Sequence, residues 1–210
     1  MDGTLVDTEP YWISAETELI NRHGGHWTHE HALQLVGLGL WDSAKIIQNA
    51  GVDMSADDIV YHLSDEVRRQ LREFGVPWRP GARELLQELR TNELPTALVT
   101  MSLRSMAEEI VNQAGFTAFD LLVSGDEVPM PKPDPAPYLA AVSALNLDPH
   151  RTVAIEDSHA GLTSARSAGL AALGVPHTVS LEGSDAHALW ETLAGRTAAD
   201  LQSFLLEARS

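Results

Sequence analysis

Residues that can bind phosphate or a divalent cation occur at four separate places in the sequence. They are Asp2 in MDGTLVDTEP, Thr100 and Ser102 in ALVTMS, Lys132 in PKPDP, and Glu156 with Asp157 in AIEDS. Adjacent carboxylates offer the oxygen ligands that Mg²⁺ requires, and a lysine ammonium can neutralise a phosphate. Asp2 can serve as a general acid and base. Together these residue types indicate chemistry on a phosphate ester, provided that the fold brings them together.

The second half of the chain contains the elements that must position most of these residues. From Gly81 onwards, helical patterns alternate with short apolar runs, which is typical of parallel strands joined by crossover helices. The predicted strands are LPTALVT, FDLLVSG, TVAIED and LAALGV, and the segments SDAHALWETL and TAADLQSFLLEA are predicted as helices. Open parallel sheets bind ligands at the carboxyl ends of their strands, so one site could collect the polar residues that follow three of these strands.

The segment from residue 9 to about residue 76 is predicted to be almost wholly helical. Pro10 suits a first helical turn, and further helices are predicted to begin near Thr28, Trp41 and Ser55. The following VPWRPGA stretch is a plausible hinge because it is rich in Pro and Gly. The sequence therefore predicts a helical insertion in an α/β protein.

Composition excludes several classes of function. The chain has 210 residues, 44% of them hydrophobic, and a formal net charge of −16, so its average surface repels nucleic acid and anionic lipid. It contains no Cys, which excludes disulfides and thiol nucleophiles and is compatible with a reducing compartment. No apolar run approaches the roughly 18 residues of a membrane span. A cytoplasmic location is expected, with neither nucleic acid nor membrane as a partner.

Four ordered stretches resemble the motifs of the haloacid dehalogenase superfamily, in its branch of phosphatases and phosphomutases similar to β-phosphoglucomutase. They are MDGTLVDTEP, ALVTMS, PKPDPAPY and AIEDSHAGLTSARSAG, and together they span nearly the whole chain. The resemblance implies a Rossmann-like parallel sheet core at residues 1–8 and 77–210 with an inserted α-helical cap domain at residues 9–76. It also implies Mg²⁺ as cofactor, a small phosphorylated metabolite such as a sugar phosphate as substrate, and a monomer.

The resemblance also implies roles for individual residues. Asp2 matches the second Asp of the family's DxDGT motif, which is the acid and base, and Thr100 and Lys132 match the residues that hold the phosphate. The expected substrate-binding residues are Met101, Ser102, Gly37 and Trp41, and the expected metal ligands are Asp2, Glu156 and Asp157.

The family's nucleophile is the first Asp of DxDGT, and no carboxylate precedes Asp2 in this sequence. The expectation is an N-terminally shortened record, in which the Met of a DMDGT motif was taken as the start and the first strand also lies upstream. A chain beginning at Met1 is then expected to be poorly stable and without turnover. A chain extended upstream to restore the Asp and the strand is expected to turn over.

Three other activities remain open. A phosphomutase of the same superfamily is the first, although Trp12 and Leu40 stand where a cap His and a cap Arg of β-phosphoglucomutase contact the sugar phosphate, which favours hydrolysis. The second is a non-catalytic phosphate-binding or regulatory protein that lacks the nucleophile. Dehalogenation is the least favoured, since it needs neither the metal pair nor an acid like Asp2.

Two further patterns are interpreted as structural. The cluster His23, His26, His29 and His31 lacks a structural zinc spacing and flanks a Gly-Gly break, so it is interpreted as cap surface. The GLGLWD stretch has Asp42 where a dinucleotide site would need a third Gly, and it follows a helix.

Overall fold

The computed structural model describes residues 1–35 and 38–210, which divide into two units. The first unit combines Met1–Asp7 with Trp78–Ser210, and the second is Thr8–Pro77. The helices of the second unit are α1 (Glu9–Arg22), α2 (His29–Leu33), α3 (Leu40–Asn49) and α4 (Ala56–Phe74).

Side-chain caps begin two of these helices. The Thr28 hydroxyl accepts the backbone N–H of His31 in a capping box before α2, and the Ser55 hydroxyl accepts that of Asp58 before α4. The observed starts of α2, α3 and α4 therefore lie within one residue of the starts predicted near Thr28, Trp41 and Ser55. Helix α4 packs against α1 and α3 around a buried core. Within the described ranges, no helix is long and apolar enough to cross a membrane.

The other unit is an α/β structure with parallel strands. Its strands are β1 (Ala97–Val99), β2 (Leu121–Val123), β3 (Val153–Glu156), β4 (Ala171–Gly174) and β5 (Ala188–Leu189), and its helices are α5 (Ala82–Thr91), α6 (Arg104–Asn112), α7 (Ala136–Ala144), a 3-10 helix (Pro149–Arg151), α8 (His159–Ser167) and α9 (Ala198–Glu207). β1 pairs with β2, and β3, β4 and β5 pair in that order, always in parallel. The predicted α/β class with a parallel sheet is confirmed.

The helix predicted for SDAHALWETL was wrong. Two residues of this segment, Ala188 and Leu189, form β5 and pair in parallel with Leu173 and Gly174. The segment packs its apolar residues against β4, and pairing with a strand that is distant in sequence has overridden the local helical pattern. The other helix predicted in this region, TAADLQSFLLEA, is α9.

Candidate active site

The first motif lies beside the carboxyl ends of the strands. Ser102 follows β1 and donates its hydroxyl to Asp2 Oδ2 at 2.7 Å. Asp157 follows β3 and accepts the Thr4 hydroxyl at Oδ1, at 2.6 Å. These two bonds connect a segment at the start of the chain to two loops more than 90 residues away. Asp2 and Asp157 therefore belong to one site at the carboxyl edge of the sheet.

A buried ion pair between Lys132 and Glu156 is part of this site. Lys132 Nζ lies 2.5 Å from Glu156 Oε1 and donates to the carbonyl of Val99 at 3.0 Å. The Tyr138 hydroxyl donates to the same Glu156 oxygen, and Lys132 Nζ lies 5.0 Å from the centre of the Tyr138 ring. The side chains of Lys132 and Glu156 are only 8% and 6% exposed. Such a buried pair holds its geometry because separating the charges would leave each one uncompensated.

The carboxyl group of Glu156 is held in its ionised form. Burial alone would raise its pKa, but the Lys132 ammonium, the positive α-amino group of Met1 and hydrogen bonds from Lys132 and Tyr138 outweigh burial and lower that pKa. A Cβ placed on Gly161 would lie 2.0 Å from Glu156 Oε2, so the first turn of α8 closes over the second oxygen. Both oxygens of Glu156 are therefore tightly enclosed.

Asp157 has a different environment. Burial raises its pKa and the Glu156 charge raises it further, whereas the positive α-amino group of Met1 and the hydrogen bond from Thr4 offset this increase only partly. Gly3, at φ +72°, lies so close that a Cβ there would come within 1.9 Å of Asp157 Oδ2. Only glycine combines this approach with this backbone conformation. A cation beside Asp157 would relieve the unfavourable burial of its charge.

Thr100 and Ser102 lie in the loop between β1 and α6. Both are buried, and the Ser102 backbone N–H donates to Thr100 Oγ1 at 3.1 Å. Met101, between them, contacts the backbone N–H of Lys132 through its sulfur at 3.3 Å. This loop therefore connects the predicted phosphate-holding threonine to the Lys132 loop.

Two residues at this site were not predicted from the sequence. Tyr138 supplies the second hydrogen bond to Glu156, and Arg79 donates to the carbonyls of Gly3, Val175 and Pro176. Arg79 thus joins the first motif to the segment after β4. Tyr138 could have been suspected, since its motif was singled out and a buried tyrosine needs a hydrogen-bond partner. No sequence signal marked Arg79, which lies in the segment interpreted as a hinge.

The structure brings together the predicted site residues of the α/β unit, namely Asp2, Thr100, Met101, Ser102, Lys132, Glu156 and Asp157. Trp41 lies in the helical unit, where its indole N–H donates to Asp57 Oδ1 at 2.7 Å. Gly37 lies outside the described residues. Among residues 1–35 and 38–210, no group of three or more His, Cys, Asp or Glu side chains is arranged to hold a metal ion.

An acid, a lysine and two adjacent carboxylates at the carboxyl ends of parallel strands make a site suited to phosphate esters. The comparison with known proteins agrees: the chain belongs to the haloacid dehalogenase-like hydrolase family, which it matches over residues 1–175. The predicted membership of this superfamily is confirmed.

Two similar proteins are phosphatases. The chain is 30% identical over 183 residues to the phosphorylated carbohydrates phosphatase of Thermotoga maritima, covering 86% of this chain and 84% of that protein. It is 31% identical over 190 residues to the validoxylamine A 7'-phosphate phosphatase of Streptomyces hygroscopicus subsp. limoneus, covering 87% and 85%. The family and these relatives support classification as a phosphoric monoester hydrolase.

The fold agrees with a solved relative. The crystal structure of CbbY from Rhodobacter sphaeroides in complex with phosphate superposes with a TM-score of 0.84 and 26% identity, covering 96% of each chain.

Proposed function

We propose that this protein is an Mg²⁺-dependent phosphatase that hydrolyses a small phosphorylated metabolite, with phosphorylated carbohydrates as the substrate class. The observation that carries the proposal is the meeting of Asp2, Lys132 and Asp157 at one sheet edge, through the contacts that Ser102, Glu156 and Thr4 make with them. The phosphatase relatives, one of them named for phosphorylated carbohydrates, support the substrate class.

Each protein residue has a separate role in this proposal. Asp2, oriented by the Ser102 hydroxyl, protonates the leaving alcohol and then takes a proton from the attacking water. The Lys132 ammonium and the Thr100 loop neutralise and orient the phosphate. In this proposal the Thr8–Pro77 unit acts as a cap that contributes to substrate choice, with Trp41 as a candidate contact.

The carboxylates fit Mg²⁺ unequally. Asp157 is a hard oxygen donor that accepts a hydrogen bond from the neutral Thr4 hydroxyl and whose pKa burial keeps raised, so it is the best-fitted ligand. Glu156 Oε1 is already bound by Lys132 and Tyr138, so in this geometry Glu156 serves mainly to hold Lys132. Mg²⁺ commonly binds one or two carboxylates together with substrate phosphate and water, which a site with few protein ligands permits. When bound, the ion supplies charge neutralisation at the phosphate.

The attacking group in this proposal is the Asp predicted upstream of Met1, which would form an aspartyl-phosphate. The alternatives remain a phosphomutase and a non-catalytic phosphate-binding protein. A mutase would return phosphate to a sugar instead of releasing it, and a binding protein would bind Mg²⁺ and phosphate without turnover.

Two measurements test the proposal. The first is calorimetric titration of Mg²⁺ into the chain in the presence of phosphate, which needs no turnover; saturable binding is expected, and Asp157→Asn should weaken it at least about tenfold. Asp185→Asn, the same change at an exposed carboxylate of the same unit, is the control. Unchanged Mg²⁺ affinity in Asp157→Asn would overturn the metal assignment.

The second measurement is phosphate release from a panel of sugar phosphates by a chain that carries the predicted upstream strand and Asp. Release that requires Mg²⁺ and is lost in Asp2→Asn is expected. Mg²⁺ and phosphate binding without release from any member of the panel would favour the non-catalytic protein, and isomerised sugar phosphate would favour the mutase.

A further inference from the structure

The amino ends of β4 and β5 border a pocket of about 350 Å³. It is lined by Arg166, Gly169, Leu170, His187, Ala208 and Arg209. Leu170 and His187 directly precede β4 and β5, whereas Asp157 follows β3, which runs parallel to both. The pocket therefore lies at the opposite end of the sheet from the candidate active site and is distinct from it.

This pocket concentrates positive charge in an acidic protein. Arg166, Arg209 and His187 line it, and no lining residue is acidic. Among the residues that the structure describes, neither arginine forms a salt bridge. The whole chain has only 14 Lys and Arg against 30 Asp and Glu, so carboxylate partners are abundant elsewhere on the protein. Two arginines that lack a carboxylate partner in the described part of so acidic a protein are therefore available to an external anion.

The imidazole of His187 cannot accept hydrogen bonds from both of the donors that face it. The backbone N–H of Ala172 points at Nδ1 at 2.9 Å, and the Arg166 guanidinium lies against Nε2. A neutral imidazole has one acceptor nitrogen and one N–H, and a protonated imidazole has no acceptor. Two donors therefore face a ring that can accept from only one of them. An external group with acceptor oxygens between Arg166 and His187 would resolve this conflict.

Arg209 is held in place without losing its charge. Its guanidinium donates to the backbone carbonyl of His150 at 3.1 Å and to that of Gly169 at 2.7 Å. These neutral acceptors orient the side chain at the rim of the pocket but do not neutralise it. A positive group that is already oriented loses little conformational entropy when an anion binds.

We propose that this pocket binds a phosphate group, either as inorganic phosphate or as the phosphate of a small metabolite. The three donor groups that line the pocket come from the end of α8, the residue before β5 and the residues after α9. A tetrahedral oxyanion presents acceptors in several directions and suits such an arrangement better than a planar carboxylate does. The volume lies at the lower end of the range for small-ligand sites.

The pKa of His187 provides a specific readout. Burial lowers this pKa, and the positive charges of Arg166 and Arg209 lower it further. A bound phosphate reverses the electrostatic effect, so phosphate should raise the His187 pKa by about one pH unit. The ring resonances can be followed by NMR during titration with inorganic phosphate, assigned by their loss in His187→Gln. Sodium chloride at matched ionic strength controls for screening.

Variants separate this site from the candidate active site. The Arg166 guanidinium hydrogen-bonds to His187, and Arg166→Gln should lower the phosphate affinity reported by the His187 resonances at least about tenfold. Arg151→Gln, a nearby exposed arginine that does not line the pocket, should leave it unchanged. Asp157→Asn should also leave it unchanged, whatever becomes of the proposed function.

Titration with glucose 6-phosphate in place of inorganic phosphate distinguishes the two sources. A saturable response to either probe that Arg166→Gln weakens supports the proposal. No response of His187 to either, an equal response to chloride, or a response that Arg166→Gln leaves unchanged would overturn it.

Discussion

At the scale of single residues, the carboxylates of the AIEDS motif owe their different behaviour to their neighbours. Lys132 and Tyr138 hold Glu156 ionised, whereas burial and the Glu156 charge keep the pKa of Asp157 raised despite the α-amino group of Met1 and the Thr4 hydroxyl. Two adjacent residues of similar chemistry thus acquire different tasks. Glu156 fixes Lys132, and Asp157 is the carboxylate best suited to a cation.

The Lys132 and Glu156 pair can be tested by a double-mutant cycle. Lys132→Met should destabilise the protein by about 3–5 kcal/mol near neutral pH, because it leaves the Glu156 charge buried and unpaired. Lys132→Met with Glu156→Gln should lose less than the sum of the two single changes, with a coupling energy above about 1 kcal/mol. Urea unfolding measures each free energy. Strictly additive losses would contradict the pairing.

The pH dependence of the same pair has a defined sign. Because the folded pKa of Glu156 lies below its ordinary 4.5, ionised Glu156 stabilises the native protein above pH 4.5, and this contribution is lost as the pH falls through the folded value. In Lys132→Met the buried carboxyl lacks its cation, so the penalty should shrink on acidification as Glu156 becomes protonated. A penalty independent of pH between pH 4 and 7 would exclude this cause.

At the scale of elements, helix α8 can lie close to the Glu156 carboxylate because residue 161 is a glycine. Ala is normally about 1 kcal/mol better than Gly inside a helix, so propensity alone predicts that Gly161→Ala stabilises. A Cβ there would lie 2.0 Å from Glu156 Oε2, however, and would displace a carboxylate that is fixed by two other partners. We therefore expect net destabilisation in thermal unfolding. Adding Glu156→Asp, which shortens the side chain, should relieve part of it; a stabilised Gly161→Ala would show that the helix can shift.

Helix α1 carries a buried carboxyl in the helical unit. Glu16 is 6% exposed, and burial followed by the charge of Glu9 raises its pKa to about 8. Between pH 4.5 and about 8 the unfolded chain releases this proton while the folded chain keeps it, so stability falls with rising pH in that window. Glu16→Gln should match the parent near pH 4.5 and exceed its free energy of unfolding by roughly 5 kcal/mol above pH 8. Glu18→Gln, an exposed carboxylate on the same helix, should show no such divergence.

Local patterns predicted the elements whose signals are local. Thr28 and Ser55 indicate helix starts because each caps a backbone N–H only three residues further on. The TVAIED stretch indicates β3 because a buried parallel strand has a nearly continuous run of apolar residues. β5 could not be predicted this way, since its two residues become a strand only by pairing with Leu173 and Gly174. The same holds for Arg79, whose acceptors Gly3 and Pro176 are far away in sequence. Residues defined by long-range contacts leave no periodic signal.

At the scale of the whole molecule, the net charge of −16 makes self-repulsion a destabilising force. Screening weakens both this repulsion and the exposed ion pairs, such as Arg104 with Glu108, but each exposed pair is worth only about 0–1 kcal/mol. With 30 acidic against 14 basic side chains, the repulsive interactions dominate, so stability at pH 8 should increase with salt. Raising sodium chloride from 10 to 150 mM should increase the melting temperature by about 2–4 °C.

The control for this salt effect is pH. Near the sequence isoelectric point of about 4.8 the charges balance, so the same addition of salt should leave the melting temperature nearly constant or lower it slightly as the ion pairs weaken. Scanning calorimetry at both pH values measures the difference. An equal increase at pH 4.8 and pH 8 would contradict self-repulsion as the cause, because a salt effect that does not depend on net charge must come from ion binding or from preferential exclusion of salt from the protein surface.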